Sequence, residues 1–285
     1  MAQLTARSYV KITLIVALAL LITGVGSFGS CVVQDWKALS WSHLSQVGDA
    51  QLDASRVNNI DIDWATGSVD ISVHSGNDII LTEYAAQGLS RAQQMRWGIA
   101  GDTLKIDYGS GWGWGCSSAG TKKLEVSVPQ ELAQRLKNLD IDAASGDYTV
   151  QGITCNTFRV DLASGNLDAS GIKVGALDFN CASGMMTIEG EISESASMGA
   201  ASGEAVLTCT GNPPRSINAD IVSGSVTVFL PENLGFSAQI DKVSGSFISE
   251  FETRNNNGLY TYKDGSIKIQ ARMVSGDLIL KKSSS

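Results

Sequence analysis

The sequence is poor in the residues that most enzymes work with. It holds two histidines, His43 and His74, and four prolines in 285 residues. With so few imidazoles, a Ser-His-Asp relay has almost no base to draw on, and nothing places a nucleophile near His74. There is no phosphate loop, no HExxH helix and no dinucleotide fingerprint. The five cysteines, Cys31, Cys116, Cys155, Cys181 and Cys209, include no CxxC pair, and their spacings match no zinc site. No metal and no cofactor is therefore expected. Basic residues are also scarce, 21 against 29 acidic, for a net charge of -8. The first 34 residues hold Arg7 and Lys11 and no acid, so the remainder carries a net -10. Such a body has no electrostatic footprint for nucleic acid. Anionic lipid headgroups repel it, so membrane attachment needs a dedicated segment.

What is present is a large apolar fraction, 43%, and 30 glycines. Glycine without proline points to many tight turns between ordered strands, not to a flexible linker. The first long apolar run is Ile12 to Val33, close to the ~20 residues that span a bilayer as a helix. Arg7 and Lys11 precede it, which keeps residues 1–11 cytoplasmic and puts everything beyond the run outside. Three forms of attachment fit: an uncleaved single-pass anchor over 12–33, a cleaved signal peptide, or a lipoprotein. The last would place a lipid on Cys31 within the lipobox-like Phe28-Gly29-Ser30-Cys31. All three deliver the body to the outer face of the cell membrane. Residues 34–54 lack strand alternation and read as a spacer, with Trp36 and Trp41 suited to the membrane interface or to packing on the first coil.

From residue 55 to 285 the sequence repeats. A Ser-Gly or Thr-Gly pair recurs in a common frame, as in DWATGSVDI, DAASGDYTV, DLASGNLDA and DIVSGSVTV. From Gly146 the glycines step by 19, 19, 19, 21, 21 and 31 residues, to Gly165, Gly184, Gly203, Gly224, Gly245 and Gly276. Apolar residues fall four and six places before each pair, as Ile141 and Leu139 do, and three and five places after it in most repeats. Each repeat therefore reads as a strand, a Ser-Gly corner and a second strand, with one face of each strand buried. The apolar columns stack from coil to coil into one core that no coil could bury alone. The expected fold is all-β: a single-domain β-solenoid of ~19–21-residue coils, following one transmembrane helix.

Three departures from the repeat carry the remaining expectations. Residues 55–135 are irregular coils, with helical turns suggested at LSRAQQMRWGIAG and ELAQRL, and they form the N-terminal cap of the regular repeats in 136–285. The run GSGWGWGCSSAG places Trp112 and Trp114 on a Gly-rich loop, which suits a binding tip or a cover for a strand edge. Asn-Asn-Gly at 256–258 signals a hairpin that projects beside the solenoid or caps its C-terminal end. One outward column is largely acidic: Asp63, Asp142, Asp161, Asn180, Gly199, Asp220, Asp241 and Arg272. Asp142, Asp161, Asp220 and Asp241 are candidate members of a weak cation ladder; the plainer role is a solubilising stripe bonded to nearby backbone.

The ASG and VSG corners, with the stretch LEVSVPQELAQRLKNLDIDAASGDYTV, resemble the bacterial "putative adhesin" family, a β-helical domain of unknown function on envelope proteins. The likeness covers about residues 55–280, and a preceding Gly/Trp loop and N-terminal membrane segment fit it as well. It implies a right-handed β-helix displayed at the cell surface, and it brings no catalytic residues. The expected role is a non-enzymatic, adhesin-like surface protein contacting envelope glycan or a surface protein, by a solenoid flank or through Trp112 and Trp114. Two other roles remain open: an accessory of an envelope-stress or signalling system, and a polysaccharide-active enzyme.

Overall fold

The computed structural model of the protein describes residues 45–109 and 121–283. The segment 12–33 expected to be a membrane anchor, Cys31, and residues Trp112, Trp114 and Cys116 lie outside the described residues. Among the described residues, no helix is long and apolar enough to cross a membrane.

The body is all-β, and its strands join one hydrogen-bonded system. Three long strands carry the regular part: β2 (Asn59–His74), β7 (Leu136–Gln151) and β8 (Thr154–Ala200). They pair in parallel with like columns in register: Ile60 on Leu139 on Phe158, Ile62 on Ile141 on Val160, and Val69 on Tyr148 on Leu167. All nine side chains are buried. Alternation puts every second residue inside, and stacking turns those residues into continuous apolar columns.

The first four pairs, at Gly67, Gly146, Gly165 and Gly184, do not break their strands, whereas at Gly203, Gly224, Gly245 and Gly276 a short bend separates one strand from the next. Hydrogen bonding runs through the first four, so β8 continues for 47 residues across Gly165 and Gly184. The backbone there has φ of +118° and +115°, a region that a Cβ disfavours. Contact adds a second demand. A Cβ on Gly146 would stand 1.9 Å from the Gly67 carbonyl oxygen, one on Gly165 2.1 Å from that of Gly146, and one on Gly184 1.8 Å from that of Gly165. Each glycine sits on the carbonyl of the glycine below, and the coils close to strand spacing only because that position is bare.

Following these contacts gives the order of the coils, and it is not the order of the chain. Gly203 lies over Gly184 and Gly224 over Gly203, but the next is Gly276, and Gly245 comes last. Strand pairing agrees. β10 (Ser216–Ile221) and β12 (Phe236–Lys242) both pair in parallel with β16 (Ile267–Met273). β11 (Ser225–Leu230) and β13 (Phe247–Ser249) flank β17 (Asp277–Lys282) in the same way. The final coil of the chain is thus inserted under the one before it. The Asn-Asn-Gly hairpin joins them: β14 (Arg254–Asn256) and β15 (Leu259–Tyr262) turn at Asn257 and Gly258, both at positive φ. β15 lies antiparallel along β12 and covers one edge of the outermost coil.

The same exchange occurs at the other end. The coil of β2 is covered by one that comes later in the chain, made of β5 (Thr103–Asp107) and β6 (Lys122–Pro129). Antiparallel strands then finish this end. β4 (Arg96–Ala100) pairs with β5, β3 (Asp78–Ala85) pairs with β6, and β1 (Ser45–Asp53) pairs with β3.

One expectation is corrected here. Residues 45–53 are not spacer but the strand β1, with Ala50 and Leu52 buried, and a 3-10 turn, Ala54–Arg56, follows. A register shift between Gln46 and Gly48 breaks the alternation that would have revealed the strand. LSRAQQMRWGIAG contributes a single helical turn, in which the Gln93 and Gln94 N–H groups donate to the Ser90 carbonyl, and then strand β4. The helical turn Gln130–Ala133 overlaps ELAQRL, as expected.

Candidate binding surfaces

The outward columns begin as a consequence of the same register. Asp107, Asp63, Asp142 and Asp161 stand opposite one another on four successive coils. Two residues earlier, on the same face, run Lys105, Asp61, Asp140 and Arg159. The result is a flank of six carboxylates crossed by Lys105 and Arg159, with Arg96 paired to Asp107 at 3.0 Å at its edge. Lys105 pairs with Asp61 at 2.8 Å, and Arg159 reaches Asp161, which also accepts from Asn180 Nδ2 at 2.8 Å.

The interior of this flank is electrostatically crowded. Partial burial holds the carboxyls of Asp63, Asp140 and Asp142 above the ordinary range, and neighbouring acids add to it: Asp107 and Asp61 for Asp63, Asp161 for Asp142. Such a surface gains by meeting positive charge. At the far end the column changes character. Because the last coil is inserted, Arg272 sits between Asp220 and Asp241, and its Nε lies 2.9 Å from Asp220 Oδ1. The four aspartates proposed as one cation ladder therefore fall into two groups, Asp142 with Asp161, and Asp220 with Asp241 divided by an arginine. Among the described residues, no group of three or more His, Cys, Asp or Glu side chains is arranged to hold a metal ion.

A second feature is an open cleft of ≈ 610 Å³ on another side of the solenoid, lined by Thr154, Asn156, Lys173, Gly175, Glu191 and Glu194 among others. No aromatic ring lines it. Lys173 and Glu191 are 4.0 Å apart across it. It is polar and offers no stacking platform.

The third feature went unnoticed in the sequence. Lys122 and Glu83 are both fully buried and paired with each other. Lys122 Nζ donates to Glu83 and to the carbonyls of Gln93 and Tyr108, and it lies 4.0 Å from the Tyr108 ring centroid and 4.9 Å from that of Trp64. Glu83 in turn accepts from the Met95 backbone N–H. Burial lowers the Lys122 pKa, opposed by Glu83, and burial raises that of Tyr108 to about 12. The Lys122 carbonyl is the last rung beneath the glycine column, under Gly67. The pair thus plugs the core where the stack ends, with every ammonium hydrogen satisfied. Parity was the available signal: in Lys122, Leu124, Val126, Val128 and in Ile79, Leu81, Glu83, Ala85, one charged residue occupies the inward phase of each strand.

The thiols of Cys155, Cys181 and Cys209 are free and buried, pushed up by that burial to about 12, 11 and 12. They are packing residues.

Comparison with known proteins places this architecture. A family model described as Toastrack DUF4097 matches residues 57–211. No curated protein matches. Among solved structures, a "putative lipid binding protein" of Parabacteroides distasonis ATCC 8503 is 16% identical with a TM-score of 0.46, over 83% of this chain and 96% of that one. A "putative adhesin" of Bacteroides fragilis NCTC 9343 is 13% identical at 0.41, over 83% and 96%. A "putative cell adhesion protein" of Clostridium sporogenes ATCC 15579 is 12% identical at 0.39, over 84% and 100%.

Proposed function

The chain belongs to the Toastrack DUF4097 family, and from that premise we propose that it is a non-enzymatic, membrane-anchored envelope protein that uses its solenoid flank as a binding surface. The apolar run 12–33 is its single-pass anchor, and the body stands outside the membrane. The coils wind right-handed, the hand that parallel strand crossovers adopt in nearly every case.

One observation carries the binding role: the aligned face of Asp61, Asp63, Asp107, Asp140, Asp142 and Asp161, with three carboxyls held above their ordinary range. A surface whose charges raise one another's pKa is stabilised by a partner bearing positive charge. The solenoid fixes these groups at strand spacing, ~4.8 Å per coil, so the partner meets a rigid pattern with little ordering left to do. A basic face of a surface protein fits it better than a neutral glycan, for which the flank offers carboxylates but no ring. The test is binding of the full chain, in nanodiscs, to panels of envelope glycans and of basic surface proteins. Binding that is lost in Asp140→Asn/Asp142→Asn and weakens with added salt supports the reading. Binding indifferent to both removes the flank from the account.

A further inference from the structure

We propose that the N-terminal end of the solenoid is seated on the lipid surface through Trp97 and Ile99 of β4. This rests on the anchor reading for residues 12–33. The two side chains stand opposite Ile106 and Leu104, which are core residues of the outermost coil. They therefore continue the core columns one strand beyond β5, and each is left partly open to solvent. Trp97 remains 46% exposed and Ile99 41% exposed. Exposed large apolar side chains that extend a core are unsatisfied in water and stabilised by an apolar cover.

The position of the chain's entry identifies the cover. Residues preceding β1 join the body at Ser45. Gln94 Nε2 donates to the Val47 carbonyl at 3.3 Å, which ties the start of β1 to the turn leading into β4. Between Val33, where the apolar run ends, and Ser45 there are twelve residue steps, at most about 40 Å of extended chain. The end of the solenoid nearest the anchor is thus the end that shows tryptophan to solvent. Tryptophan, with its apolar body and polar N–H, favours the bilayer interface. The net negative body gives headgroup charge no part in this contact; the driving force is burial of the two side chains.

The experiment uses the full chain reconstituted in phosphatidylcholine vesicles, with and without lipid brominated on the acyl-chain carbons nearest the headgroup. Wild type minus Trp97→Phe isolates the emission of Trp97. Leu259→Trp places a reporter at the opposite end, where β15 covers the outermost coil. The expected result is that brominated lipid removes at least half of the Trp97 emission and leaves the emission of the residue-259 reporter unchanged. Unquenched Trp97 in a chain that floats with the vesicles overturns the seat and leaves the anchor standing. Trp97 shielded from acrylamide yet unquenched by bromolipid also overturns it, because a protein then covers the site. A chain that fails to float overturns the anchor and the seat together.

Discussion

Three glycine-to-alanine substitutions separate the two demands that the corner glycines meet. Gly101 has φ of +68° with open space around it, so Gly101→Ala carries only backbone strain, about 1–2 kcal/mol. Gly224 lies outside the left-handed region, but a Cβ there would meet the Gly203 carbonyl oxygen at 2.1 Å. No side chain can yield, because the obstacle is backbone, so the two coils must part and strain the ladder bonds on either side of the corner. Overpacking of this kind costs about 3 kcal/mol. Gly165 combines φ of +118° with a 2.1 Å approach to the Gly146 carbonyl, and Gly165→Ala is expected to cost about 4–5 kcal/mol, in the range reserved for severe lesions. At this chain length each kcal/mol lowers Tm by roughly 2–4 °C. Urea and thermal unfolding of the three variants, each beside Gly98→Ala, which meets nothing, give the ordering directly. If Gly224→Ala unfolds within 0.5 kcal/mol of wild type, on the scale of a neutral surface change, the stacked-carbonyl argument is wrong.

Other consequences are open to the same measurements. Asp142 has a raised folded pKa, so its contribution favours folding below the carboxylate range and is lost as pH rises through it; Asp142→Asn should match wild type in urea midpoint near pH 3 and exceed it near pH 6. Removing one member of the buried pair, as Lys122→Met or Glu83→Gln, should cost about 3–5 kcal/mol, whereas Lys122→Met/Glu83→Leu should recover part of that loss in a double-mutant cycle. Cys155, Cys181 and Cys209 should react with an aromatic disulfide reagent at pH 8 only after unfolding, since burial holds them as thiols.

The parts of the fold that were legible are those that repeat. Ile60, Leu139 and Phe158 occupy the same phase of the same frame, and they are the residues found stacked. The acidic column was legible for the same reason. The exchange of coils at both ends was not, because the alternation of β16 and β17 is satisfied by any neighbours of like parity, and pairing with β10 and β11 is set by a hairpin long enough to return the chain. Inserting Arg272 between Asp220 and Asp241 follows from that exchange and could not be read without it. β1 was hidden by its bulge at Gln46–Gly48. Lys122 and Glu83 show a different limit: their phase marked both as inward, yet only the fold brings residues 39 apart into contact. The tryptophans that stood out most, Trp112 and Trp114, fall outside the described residues, while the exposed Trp97 carried no motif to single it out.

The most direct test of the central claim is a binding measurement on the full chain in nanodiscs, at low and at physiological salt, against basic envelope proteins and envelope glycans. The account predicts that a partner with a positively charged face is retained by wild type. It further predicts that affinity falls at least tenfold in Asp140→Asn/Asp142→Asn without loss of folding. Retention of the same partner at unchanged affinity by that variant would contradict it, and so would selective binding of a neutral glycan alone.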